Sequence, residues 1–191
     1  VLPSVDELWK GDKKNRKDGI NKGKRQGFEF NVYDRIESNY EFYSLLEEVY
    51  SKIKLPYPTK SFFTNLNKLK PEYIKWFELK HNNEPKLILC APVFNNRLYA
   101  FFIGISQDVE FTRLRPVDWF YWKVIAWDAE NNFEYFDWMG AGKPNEEYGV
   151  RKFKMQYGGE LFETGRFEKI NSKLLFKIGV LGLKIRKKIK S

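Results

Sequence analysis

The chain has 191 residues, 42% of them hydrophobic and 18% aromatic, enough apolar material for one domain with a real core, so a largely disordered chain is excluded. Thirty-four Lys and Arg against 25 Asp and Glu leave a formal charge of +9, a balance that favours polyanionic partners: nucleic acid, anionic lipid or a phosphorylated substrate. One Cys, Cys90 in an apolar run, excludes an internal disulfide, and one His, His81 in the polar turn HNNEP, leaves no His-based metal site and no Ser-His triad.

Ser4 and Glu7 stand at capping-box spacing, and residues 5–25 read as a helix or broken helix loosened by Gly11, Gly19 and Gly23. Lys10, Lys13, Lys14, Arg16, Lys17, Lys22, Lys24 and Arg25 outweigh Asp12 and Asp18 there, forming either a phosphate clamp or a solvated helix face. Phe28, Phe30 and Val32 alternate with Glu29 and Asn31, the period of a half-buried strand. Ser38 and Glu41 repeat the capping-box spacing ahead of a helical stripe, Phe42, Leu46, Val49 and Ile53. Pro56 and Pro58 end that helix, and Thr59 caps a short one finishing near Leu69. Strands at 73–80, 86–94 and 98–105, joined by HNNEP and the tight Asn95-Asn96, predict an antiparallel meander. Asp118 is placed to cap a helix running to about Glu130. The strand at 133–139 follows it, and a helix-separated pair of this kind is most simply parallel and splayed.

Residues 137–159, DWMGAGKPNEEYGVRKFKMQYGG, form the stretch around which the chain is organised. Gly140, Gly142, Gly149, Gly158 and Gly159 supply positive φ or close backbone approach, Pro144 stiffens the turn, and Arg151, Lys152 and Lys154 add charge. A long basic connection at a strand end is usually functional. Its plainer reading is a turn and a short helix, 148–157, with Phe153 and Tyr157 facing the core. GAGKP is not a Walker A loop, because Asp137 stands where its first glycine belongs, so a nucleoside triphosphatase is excluded. Residues 160–167 read as a last strand. Ser172 then caps a helix with Leu174, Ile178, Leu181, Ile185 and Ile189 on one side and Lys184, Arg186, Lys187, Lys188 and Lys190 at its end. Its stripe is expected to pack on protein, the alternative being an anionic membrane. The expected division is a domain over 1–170 and a basic amphipathic helix over 171–191.

Tyr135-Phe136-Asp137, Gly140, Pro144-Asn145, the run Tyr148-Gly149-Val150-Arg151-Lys152-Phe153-Lys154 and Tyr157-Gly158-Gly159-Glu160 together resemble the C-terminal signature of the FemABX family. These are the peptidoglycan interpeptide-bridge aminoacyltransferases, built from N-acetyltransferase (GNAT) folds. Leu8-Trp9, Asn15-Arg16, Lys22 and Gly27 are similar to the segment opening the family's second GNAT half, and Pro56-Tyr57-Pro58 followed by Phe62-Phe63 also recurs. The resemblance covers nearly the whole chain, but only that second half. It implies an α/β (α+β), GNAT-like acyltransferase fold: a mixed, mainly antiparallel sheet flanked by helices and splayed between 98–105 and 133–139. It also implies transfer of an aminoacyl group from aminoacyl-tRNA to an amine of a phosphate-bearing cell-wall precursor, with no resident cofactor. A homodimer or an N-terminal GNAT half would complete the groove. No apolar run approaches the ~20 residues that span a bilayer, and no leader has the shape of a signal peptide, so a cytoplasmic location, peripheral at most to the inner face of the membrane, is expected.

In that reaction an amine attacks an ester carbonyl, so reactants must be aligned, a proton removed and an oxyanion steadied, without a Ser or Cys nucleophile. The catalytic candidates are Asp137, Tyr148 and Lys154. Asp137 can orient or deprotonate the amine, or merely cap loop amides; Tyr148 can donate to the oxyanion, or merely pack; Lys154 is where the resemblance implies contact with the tRNA end. Candidates for substrate binding are Arg16, Lys22, Gly140, Gly142, Arg151, Lys152 and Phe153, with the cations forming one positive surface beside the splay. Two other functions compete. An acetyl-CoA-dependent GNAT N-acetyltransferase is weakened by the connection SQDVEFTRLRPVD, which has Arg113 and Arg115 but no glycine to let a pyrophosphate approach. The other is a non-catalytic basic module binding RNA or anionic surfaces.

Overall fold

The alternation of two strands decides the layering. In the computed structural model, which describes residues 3–11, 14–36, 39–142, 146–163, 165 and 167–189, β2 (Ile74–His81) and β3 (Glu84–Phe94) pair antiparallel, with Trp76 opposite Cys90 and Phe77 opposite Leu89. Side chains point alternately to opposite faces. Ile74, Trp76, Ile88 and Cys90 therefore enter one core, and Phe77, Leu79, Leu87, Leu89 and Ala91 enter another on the far side of the sheet. Burial pushes the Cys90 thiol up from its ordinary pKa, as suits an inert core residue.

β1 (Glu29–Tyr33) adds antiparallel to β2 at the outer edge. Two-residue turns close both hairpins: Asn82 and Asn83, and Asn95 and Asn96, all adopt positive φ, the geometry that matches strand twist and that Asn tolerates. The segment expected as one strand over 98–105 is broken. β4 (Arg97–Tyr99) pairs parallel with β6 (Tyr135–Asp137), whereas β5 (Phe102–Ile105), among the described residues, pairs only with β3. The last bond across the gap runs from the Ala100 N–H to the Asp137 carbonyl (2.9 Å), and beyond it the segments part. The mixed, mainly antiparallel sheet with its splay is as expected.

α3 (Asn39–Ile53) and α4 (Lys60–Leu66) cover the Trp76 face. Gly104 lets α3 approach: a Cβ there would stand 2.8 Å from the Leu46 amide nitrogen. The other face is covered by α1 (Val5–Gly11), α2 (Lys14–Gly23) and α6 (Pro116–Glu130). Gly19 and Gly23 do not loosen α2. They form its contact stripe on α6, where a Cβ at Gly23 would come within 2.4 Å of the Trp119 Cβ. The capping box of α1 forms as its spacing predicts, with the Ser4 hydroxyl donating to Glu7 Oε2 at 2.7 Å and the Ser4 N–H at 3.0 Å.

Several expectations are corrected. α6 starts at Pro116 with Arg115 as its N-cap at φ 58°, so Asp118 lies in the first turn and faces inward instead of capping. The cap in this connection is Asp108, whose Oδ1 accepts the Glu110 N–H at 2.8 Å at the start of α5 (Val109–Arg113). Thr59 precedes α4 with its hydroxyl on Ser61, not on a backbone amide. The strand at 133–139 contracts to three residues because β4 offers only three partners. The described residues of 160–167 form no strand: Gly158 and Gly159 turn the chain at φ 81° and 83°, and no described strand pairs with it. Lys13, Asp12, Ser38, Lys143, Pro144, Asn145, Arg166 and Lys190 lie outside the described residues.

The last helix, α8 (Lys173–Ile189), does not bury its stripe on the described residues of this chain, where packing on protein was expected. Ser172 Oγ accepts the Leu175 N–H at 3.4 Å, yet every described side chain from Lys173 to Ile185 is exposed, Leu174 by 69% and Leu181 by 58%. Both faces of the sheet are already covered by other helices. No helix among the described residues is long and apolar enough to cross a membrane.

Candidate functional site

The chain leaves β6 at the mouth of the splay and is held there from two sides. Asp137 Oδ1 accepts the Met139 N–H at 2.7 Å, Met139 takes φ 59°, and Asp137 Oδ2 faces Arg97 Nη1 at 3.7 Å. From α7 (Gly149–Lys154), Lys154 Nζ donates to the carbonyls of Trp138 and Gly140 (2.5 and 2.8 Å), and Arg151 Nε donates to that of Ala141 (2.8 Å). Burial lowers the Lys154 pKa, and Asp137 acts against that shift. Gly142, at φ 75°, lies under Tyr148, whose ring a Cβ there would meet at 2.7 Å. Asp137, Gly140, Gly142, Tyr148, Arg151 and Lys154 thus converge on the loop 138–142. Lys154 and Arg151 hold its carbonyls, while the Tyr148 side chain is 40% exposed beside it.

A groove of ≈ 350 Å³ opens where α2, the start of α6 and α7 meet, lined in part by Asn15, Arg16, Arg115, Asp118, Lys152 and Phe153. Arg16 is only 3% exposed and forms its floor. It pairs with Asp118 Oδ1, donates to Gln156 Oε1 at 2.6 Å, and lies over the rings of Phe153 and Tyr157 at 4.5 and 4.6 Å. Arg115 Nε meets Asp118 Oδ2 at 2.6 Å, so one carboxylate faces two guanidiniums. Lys152 stands at the rim, paired with Glu147 at 2.8 Å, both exposed. Phe153 is half-buried against Tyr121, Trp138 and Tyr157, serving the core and the groove wall together. Lys22 does not line the groove; its Nζ donates to the Arg113 carbonyl at 2.8 Å, at the end of α5. Sequence reasoning assigned Arg115 only charge, read Asp118 as a cap, and passed over Gln156. Pro116 marks a helix start and so displaces Asp118 from the cap position, but nothing in the sequence signals Gln156.

Residues 12–154, well over half of the chain, match the family model described as an acetyltransferase (GNAT) domain. The chain belongs to the GNAT family. Among solved structures this GNAT domain is similar to FemX, with TM-score 0.69 and 13% identity over 82% of this chain and 56% of that one. It is similar to L-PGS from Bacillus licheniformis (TM-score 0.55, 16% identity, 75% of this chain and 50% of that one). It also resembles the aminoglycoside acetyltransferase meta-AAC0020 from an uncultured soil metagenomic sample, in complex with sisomicin (TM-score 0.56, 11% identity, 76% and 97%). At such identities the likeness is one of fold. The chain spans about half the length of the FemX and L-PGS chains. No curated protein sequence matches it.

The GNAT arrangement gives the connection between β5 and α6 a particular meaning, since backbone amides there ordinarily receive the pyrophosphate of acetyl-CoA. In this GNAT domain the Glu110 amide at the start of α5 meets the Asp108 carboxylate, and Asp118 occupies the first turn of α6. The segment 106–118 contains no glycine that would let a phosphate approach the backbone. These residues do not fit that pyrophosphate cradle.

Proposed function

We propose that this GNAT domain transfers an aminoacyl group from an aminoacyl-tRNA to an amine of a phosphate-bearing cell-envelope precursor. The observation that carries the reading is the connection between β5 and α6, where Asp108 caps the start of α5, no glycine occurs over 106–118 and the Asp118 carboxylate lies in the first turn of α6, which disfavours acetyl-CoA where the GNAT fold would seat it. The FemABX-like signature and the likeness to FemX support the donor assigned here.

In the proposed step the acceptor nitrogen attacks the ester carbonyl carbon. A C–N bond forms, the C–O bond to the ribose breaks, the amine loses a proton and the ribose oxygen gains one. Asp137 Oδ2, the carboxylate oxygen not bonded to the loop amide, orients the amine and receives its proton. The partly exposed Tyr148 hydroxyl donates to the carbonyl oxygen as charge develops. Lys154 and Arg151 act as positioning residues through the carbonyls of 138–142. Arg16, Arg115 and Lys152 give the groove the charge to attract the phosphates of the tRNA end or of the acceptor.

Isothermal titration with acetyl-CoA, with aminoacyl-tRNA and with a UDP-linked muropeptide tests this. Binding of the last two and not the first is expected. Binding of acetyl-CoA alone overturns the reading in favour of an N-acetyltransferase, and binding of uncharged and charged RNA alike, without muropeptide, reduces the protein to a basic binding module.

A further inference from the structure

We propose that α8 is a peripheral membrane anchor, which lays its apolar stripe into the interface of a bilayer and pairs its lysines with anionic lipid headgroups. The inference does not depend on the transfer reaction. Leu174, Ile178, Leu181 and Ile185 recur at the spacing of one helix face, and all are exposed, as are Leu175 and Phe176 beside them. The chain running into the helix continues the pattern, with Phe162 76% and Phe167 100% exposed. Around these apolar groups, residues 169–191 carry eight Lys and Arg and no Asp or Glu. Such a segment complements a negatively charged, apolar surface.

Other occupants fit less well. The faces of the sheet are already covered, so α8 has no unfilled core to join among the described residues. A second copy would bring eight more cations against these eight with no carboxylate to offset them, and the 4-3-4 spacing of the stripe reaches Lys188 at its next step, where a coiled-coil seam needs an apolar residue. No helix among the described residues is long and apolar enough to cross a membrane, and the 17 described residues of α8 reach only about 25 Å. Gly179 and Gly182 sharpen the case. Each weakens an isolated helix, and neither is used for close packing, since a Cβ at either would meet nothing within 4 Å. A helix this short with two glycines is marginal in water unless its apolar face is covered, and an interface supplies that cover while leaving the cations hydrated among phosphates.

The test is flotation of the whole chain with vesicles of phosphatidylcholine, and of phosphatidylcholine with phosphatidylglycerol at roughly 7:3. Partition onto the anionic vesicles should exceed that onto the neutral ones by about tenfold, and should collapse near 1 M salt, where the Debye length is about 3 Å. Lys177→Gln should weaken it by about fivefold, the expected effect of one cation near the surface. The pair Ile178→Asp and Leu181→Asp should abolish it while leaving the thermal melt of the body unchanged, because these residues support nothing in the body. Equal and negligible binding to both vesicle types overturns the proposal. So does anionic binding that survives the Asp pair, which would assign it to the basic segment near Arg16. Sedimentation showing a dimer that the Asp pair dissociates would give the face to a second copy, and RNA binding that requires α8 without vesicle binding would give it to nucleic acid; either result overturns the anchor.

Discussion

Asp118→Asn tests whether the floor of the groove is a structural charge cluster. Asp118 is 5% exposed and faces both Arg16, itself 3% exposed, and Arg115, which reaches solvent. Removing one partner of a buried pair costs about 3–5 kcal/mol, because the remaining charge is left uncompensated out of water. Here Gln156 Oε1 and two aromatic faces stay around the Arg16 guanidinium, so the lower half of that range, about 3–4 kcal/mol, is expected. For a chain of this size each kcal/mol moves the midpoint by about 2–4 °C, giving a fall of roughly 6–16 °C in a thermal melt, with a matching loss in urea. Arg16→Met should cost less, about 1–2 kcal/mol, because Asp118 keeps Arg115 at 2.6 Å and the methionine still fills the space between Phe153 and Tyr157. An Asp118→Asn protein that melts with the wild type, or an Arg16→Met protein that loses more than Asp118→Asn, would refute the account.

Gly23→Ala should destabilise by about 1–3 kcal/mol in urea, against the ~1 kcal/mol that helix propensity alone would add, because its Cβ would collide with the base of the Trp119 side chain; a gain in stability would show that α2 and α6 are not in close contact. Lys154→Met should raise hydrogen exchange at the amides of 139–142 and cost about 1–3 kcal/mol, since two carbonyls lose their donor. That departs from the near-neutral effect expected of a solvated lysine, and unchanged exchange would sink it. Asp128 on α6 is fully buried with neither carboxylate oxygen hydrogen-bonded among the described residues, and burial pushes its pKa up to about 8. The folded state then holds this proton longer than the unfolded state, so the contribution of Asp128 to stability falls as pH rises from about 4 to about 8 and is flat on either side. Asp128→Asn should remove that slope from a series of urea midpoints, and parallel slopes in the two proteins would count against it.

The sheet was legible from sequence because its signals are local. Trp76, Phe77, Ile88 and Leu89 sit in runs whose apolar content is visible without knowing what covers them, and Asn-Asn pairs mark both hairpins. The capping box at Ser4 is equally self-contained. What escaped depends on partners distant in sequence. Gly19 and Gly23 read as helix breakers until Trp119 is laid against them, and Arg16 reads as a surface cation until Asp118 arrives to bury it. The run 160–167 is apolar enough for a strand, but a strand exists only where another offers a ladder. Around the splay, the sequence brought Asp137, Gly140 and Lys154 into one neighbourhood, yet the direction of the Lys154 side chain follows from how α7 crosses the loop, which no spacing encodes.

The division of the interior by the sheet also bears on how such a protein can change. Side chains beneath α3 and α4 and those beneath α2 and α6 meet only through backbone, so substitutions on opposite sides share few partners and their effects should nearly add. Residues around Tyr57 and Phe62 can therefore drift, or be randomised in a library, without forcing compensation around Arg16 and Phe153. A one-residue insertion at Ala100-Phe101 is the exception, because it would exchange the sides on which Phe102 and Ile103 project and disturb both halves at once.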